Sequence, residues 1–176
     1  MPTVLPPNTT ISLASADDVK ALAAMRAAVA EDMTKRFGEG DWSAVPSKMI
    51  VVKQMRASRV LVARREAKIV GTVRLAAARQ GAFDSSAFTP VKDALYVLGL
   101  AVAPGSRNQG LGRALMDAAK DMARSSSTEA LWLDAYDHAA GAGEFYLRCG
   151  FRKVGTVSHN PISLTYYEWL AGRATV

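Results

Sequence analysis

Apolar and polar positions along the chain fall into blocks whose period changes several times. Thr10-Ile11-Ser12-Leu13 alternates as a first strand. Ser15 follows as a helix N-cap, with Asp17 and Asp18 in the first turn to complement the dipole. Val19, Leu22, Met25, Val29 and Met33 form one stripe at helical spacing, interrupted only by Arg26, and Gly38-Glu39-Gly40 should stop it. A second helix is predicted from Pro46 to about Arg56. Positions 60–64 and 69–75 read as strands joined by Glu66-Ala67-Lys68, an antiparallel hairpin. The polar connection over 79–93 is long for a hairpin loop and is expected to flank a binding site.

The next block changes character. Positions 94–103 are a continuous apolar run ended by Pro104, too short to cross a bilayer and suited to a buried strand. After a polar turn, Leu111, Ala114, Leu115, Ala118 and Met122 share one helical face, while Arg113, Asp117, Lys120, Asp121 and Arg124 take the other. Residues 130–136 are a strand at crossover distance, so parallel pairing with the 94–102 strand is expected. A short helix over 141–147 ends at Gly150, and 153–157 with 162–169 predict a C-terminal hairpin. The pattern gives one domain over 1–176 of α/β (α+β) class, with about seven strands and about four helices.

Candidate chemistry sits in the turn before the 111–125 helix. Gly110 and Gly112 remove side chains where the first helical turn leaves amides without partners, and the helix dipole adds positive potential. That combination favours an anion, most naturally a phosphate. The nucleoside-triphosphate loop does not fit, because Leu111-Gly112 stands where its Lys and hydroxyl belong. The dinucleotide fingerprint fails as well, with Leu115 at its third glycine. What matches is Arg107-x-x-Gly110-x-Gly112 after a strand ending Val102-Ala103-Pro104, which resembles the acyl-CoA pyrophosphate loop of the GNAT superfamily of N-acetyltransferases. Ala142-x-x-x-Tyr146-x-x-Cys149-Gly150-Phe151 resembles a second signature of that family, a helix carrying Ala and Tyr that ends in Gly-Phe.

The resemblance implies a GNAT fold, with a mixed, mostly antiparallel sheet and a splayed parallel pair in its middle. It also implies acetyl-CoA as cosubstrate, no metal, and transfer of the acetyl group to a primary amine. Carried over, the backbone of Leu100, Ala101 and Val102 would hold the pantetheine arm, and the Leu100 N–H would polarise the acetyl carbonyl. The amides of Arg107, Asn108, Gln109, Gly110, Leu111 and Gly112 would take the pyrophosphate, with Arg107 and Arg113 adding charge. Tyr146 would be the general acid that protonates the departing thiolate. The family's Asn at the start of the same helix is replaced by Ala139 or Ala140, with His138 as a substitute contact. No carboxylate neighbours Tyr96, where many relatives carry a Glu base. Asp134 is therefore the leading candidate, followed by Asp137 and His138. Alternatives are a non-catalytic acyl-CoA sensor, an ATP-binding protein, and an acetyltransferase acting on a protein N-terminus or lysine. A homodimer and a small-molecule acceptor are expected.

Composition narrows the rest. A formal charge of +6 and a pI near 9.7 suit an anionic ligand such as coenzyme A. No Lys/Arg run exceeds two residues and no aromatic-and-basic stripe occurs, so no nucleic-acid partner is expected. Cys149, the lone cysteine, reads as a small buried hydrophobe. The N-terminus lacks a basic region and a long apolar core, which points to a cytoplasmic protein with no membrane partner. Glu31, Asp32, Glu39 and Asp41, beside Phe37 and Trp42, offer a setting for the cationic acceptor; Glu31, Asp32 and Trp42 are its principal candidates.

Overall fold

The computed structural model describes residues 5–77, 84–158 and 162–172. Residues 1–4, and 79–83 of the polar connection, lie outside that range. The elements in chain order are β1 (Thr9–Leu13), α1 (Val19–Phe37), α2 (Lys48–Ala57), β2 (Arg59–Arg65), β3 (Lys68–Ala76), β4 (Ala94–Val102), α3 (Leu111–Ser125), β5 (Ala130–Tyr136), α4 (Gly143–Arg148), β6 (Arg152–Val157) and β7 (Leu164–Leu170). The strands form one seven-stranded sheet in the order β1-β2-β3-β4-β5-β7-β6. Its central β4–β5 pair is parallel, in the register Ala94↔Ala130, Leu95↔Leu131 and Tyr96↔Trp132, and β4 runs on to Val102. This is the predicted mixed sheet with its parallel pair.

The chain divides into two compact units, Met1–Leu75 with Leu98–Ala119, and Ala76–Val97 with Lys120–Val176. In the first, Leu22, Met25 and Val51 of the two helices pack with Val60, Val62 and Ile69 of the hairpin. The Ser47 hydroxyl accepts the Ile50 N–H at 3.3 Å and starts α2. Gly71 has a packing reason: a Cβ there would sit 3.0 Å from Leu115 and 3.3 Å from the Ala101 carbonyl, so α3 and β4 pack closely against β3 at this point. The Ala103 N–H donates to Val70 O at 2.9 Å and fixes the exit of β4.

The start of α1 differs from the sequence expectation. Ala16–Asp18 form a 3-10 turn, and the α-helix begins at Val19. The Asp18 carboxylate folds back to accept the Ser15 N–H at 2.7 Å, one half of a capping box, and also receives Arg64 at 2.6 Å. Ser15 is the N-cap of that turn and Asp17 and Asp18 lie in its first turn, as the sequence predicts; the Arg64 ion pair is added to that role. The Arg64 hydrogen bond, against the cost of burial, holds its carboxyl below the usual range.

In the second unit β5 and β6 both pair antiparallel with β7, so the C-terminal hairpin forms as predicted. Leu131, Leu133, Phe151, Leu164 and Trp169 are buried there. Glu168, fully buried, accepts from the Thr89 N–H at 2.8 Å, the Thr89 hydroxyl at 2.7 Å and Arg152 Nε at 2.8 Å. Cys149 is buried, and its carbonyl accepts from the Lys120 ammonium.

Candidate active site

A strand in the middle of a sheet normally buries its backbone. β4 does not: Gly99 is exposed and Leu98, Leu100, Ala101 and Val102 are only half-buried. Gly99 has φ +59°, a conformation that costs a side chain about 1 kcal/mol or more, at the point where the pantetheine contact is expected. Past Val102 the chain makes a short 3-10 turn, Pro104–Ser106, and reaches α3 through Asn108 at φ 59° and Gly110 at φ 80°. Left-handed points of this kind let amides collect on one side of a loop, the concavity that anions occupy. Asn108, Gln109 and Gly110 are exposed, while Leu111 is buried and anchors the helix. The predicted phosphate turn therefore has backbone available to a ligand.

Charge around the turn is organised by the chain itself. Arg107 donates from Nη1 to Asp32 of α1, joining a residue expected at the phosphate to one expected at the acceptor. Asp32 also faces Arg36 at 3.7 Å. Its carboxyl is held below the ordinary range, with the Arg107 hydrogen bond as the main cause. Arg65 donates to Gln109 Oε1 at 2.7 Å, and Arg113 faces Asp117 at 3.4 Å. Glu31 is taken by Lys35 at 2.8 Å, and the Trp42 indole donates to Gly38 O at 2.8 Å. An acceptor cation at Glu31 or Asp32 would have to compete with these intramolecular cations.

The second unit carries the expected acid and base. Tyr146 is buried on α4 against Phe145, Phe151 and Tyr167, with ring centroids at 5.4, 6.0 and 6.0 Å. Burial first, then the negative charge of Asp134, pushes its phenol well above the ordinary value. It stays protonated, and so a donor, throughout the neutral range. Asp134 is half-buried on β5 opposite Tyr166. Asp137 and His138 are exposed, and His138 Nδ1 accepts the Ala140 N–H at 3.0 Å, which leaves that nitrogen engaged.

One feature has no counterpart in the predicted site. In the first unit, Arg26 of α1, Gln54 of α2, Thr72 and Arg74 of β3 and Gly99 of β4 line a half-open cleft with apolar walls that include Leu22. Arg26 donates to Gln54 Oε1 at 2.6 Å, and the Thr72 hydroxyl spends its proton on Leu61 O at 2.9 Å. The buried Arg74 Nε has no hydrogen-bond partner. Among the described residues neither arginine is paired with a carboxylate.

The family model for the GNAT acetyltransferases matches residues 23–151, a span that includes the phosphate turn and the Tyr146 helix. The chain belongs to the GNAT acetyltransferase family. It is similar to a streptothricin acetyltransferase of Streptomyces lavendulae, 36% identical over 73 residues, which is 42% of this chain and 39% of that protein. Among solved structures, the ribosomal-protein-alanine N-acetyltransferase of Brucella melitensis superposes with a TM-score of 0.71 at 19% identity, over 92% of this chain and 99% of that one. The PaiA N-acetyltransferase of Thermoplasma acidophilum, solved in complex with coenzyme A, gives 0.70 at 13%, over 92% and 99%. For this GNAT chain the loop and Tyr146 were legible as motifs. The Arg26–Arg74 cleft was not, because its members come from α1, α2, β3 and β4, which sequence spacing cannot bring together. Its one trace was Arg26, the lone interruption of the α1 stripe.

Proposed function

We propose that the chain transfers an acetyl group from acetyl-CoA to the primary amine of a small molecule. The observation that carries this reading is the open backbone of β4 leading into the Arg107–Gly112 turn at the start of α3. Its left-handed Asn108 and Gly110, exposed amides and flanking arginines fit a diphosphate. The match to a streptothricin acetyltransferase supports a small-molecule acceptor.

Acetyl-CoA supplies an activated acyl carbon when bound. The chain's own residues do the rest. The Leu100 N–H stabilises the carbonyl oxygen as negative charge grows on it. The amine nitrogen forms its bond to carbon while the carbon–sulfur bond breaks. The Tyr146 phenol, kept protonated by its burial, hydrogen-bonds the sulfur, and its proton passes over only as negative charge develops there. Asp134 takes the proton shed by nitrogen and returns it to Tyr146, so the pair ends as it began. Family resemblance further implies a homodimer, which light scattering in solution would check.

Calorimetry with acetyl-CoA and a thiol-release assay over a panel of amines test the proposal. Saturable heat and amine-dependent thiol release are expected. Absence of both in the folded protein, with binding of magnesium-ATP instead, would overturn it.

A further inference from the structure

We propose that the cleft between α1, α2 and β3 is the acceptor's anion subsite, in which Arg74 and Arg26 bind a carboxylate carried by the amine substrate. The proposal rests on the acetyl-transfer reading above and specifies the substrate class for that site.

Three observations support it. First, the polar lining is cationic and lacks a counter-charge. Arg26 is committed to the neutral Gln54, Arg74 Nε is buried without a partner, and none of the described residues lining the cleft is a carboxylate. Two guanidinium groups that raise one another's cost are an expensive way to fill space. Burial, and then the Arg26 charge, pushes the Arg74 group down to about 10, so it remains charged at neutral pH. An anion relieves that cost, and a planar guanidinium matches a carboxylate with two parallel hydrogen bonds.

Second, the location suits an acceptor. A Cβ built on Gly99 would lie 3.5 Å from Arg74 Nε, so the guanidinium lies against the open point of β4. The next residue is Leu100, whose N–H is assigned to the acetyl carbonyl. Consecutive Cα atoms are about 3.8 Å apart. A molecule that presents its amine near Leu100 can therefore reach Arg74 with an anion on a short chain, as in an α- or β-amino acid.

Third, the cleft is half-open and its other lining residues are apolar, glycine, Gln54 or Thr72, so among the described residues the two guanidinium groups are the only charges an entering anion meets there.

The test compares matched acceptors, glycine with glycinamide and β-alanine with its amide, in the wild-type chain and in Arg74→Met and Arg74→Lys. Wild type should favour at least one acid over its amide by tenfold or more in kcat/KM. Arg74→Met should reduce that ratio to near one with acetyl-CoA affinity unchanged, and Arg74→Lys should recover part of it. Equal use of acid and amide by wild type, or a ratio that survives Arg74→Met, overturns the subsite. A second readout needs no turnover: titration of the wild-type chain with N-acetylglycine or N-acetylglycinamide, following the Arg74 Nε–H resonance. A saturable shift with the acid alone supports the subsite, and no shift with either overturns it. Acetyl-CoA calorimetry, run separately, shows whether the acetyl-transfer reading stands when the subsite fails.

Discussion

Two charged clusters in this chain are buried by opposite rules. Glu168 has no exposed side-chain area, and the Thr89 amide, the Thr89 hydroxyl and Arg152 fill its oxygens. Arg74 keeps a buried donor with no partner beside a second arginine. The first arrangement holds a fold together, since every desolvated atom recovers a hydrogen bond. The second is a deficit the fold carries, and such deficits are concentrated where a ligand completes the set. The comparison separates two meanings of a buried charge that composition alone merges.

The largest expected effect attacks the satisfied side. Glu168→Ala should cost about 3 kcal/mol, read as a lower urea midpoint at unchanged slope. Its acid limb should change too. Burial alone would raise the Glu168 carboxyl, but the Thr89 bonds and Arg152 outweigh it and leave it lowered. The stabilisation is therefore complete above the ordinary carboxylate range and lost as pH falls through the lowered value. Wild type should lose stability below about pH 4 more steeply than the variant.

Tyr146→Phe tests a single hydroxyl on an otherwise packed ring. It should lower kcat about a hundredfold with little change in KM for acetyl-CoA. An unchanged kcat would reduce Tyr146 to packing. Arg107→Ala should weaken acetyl-CoA binding about tenfold in calorimetry. The smallest effect has the opposite sign from the first: Arg74→Met should leave stability unchanged or raise it by ~1 kcal/mol, because a costly charge is replaced by an apolar chain of similar length. Comparable losses from Glu168→Ala and Arg74→Met would break the contrast.

Local chemistry explains what the sequence revealed. The β4 run, the α3 stripe and the glycine turn are contiguous, so period and spacing describe them fully. Asp18 shows the limit: its place in the first turn was legible, but its contact with Arg64 forty-six residues away was not. Asp32 repeats the lesson, since its acidic neighbours suggested a substrate cation and the structure supplies Arg107. Arg74 was unreadable for the same reason; one arginine in a strand means nothing until the fold withholds its counter-ion.

The Arg107–Asp32 bridge bears on the entropy of association. A flexible arginine gives up rotamer freedom worth on the order of 1–2 kcal/mol when a partner pins it down. Here the aspartate has already pinned it through one terminal nitrogen. The diphosphate proposed for the turn would meet a side chain that has little disorder left to lose.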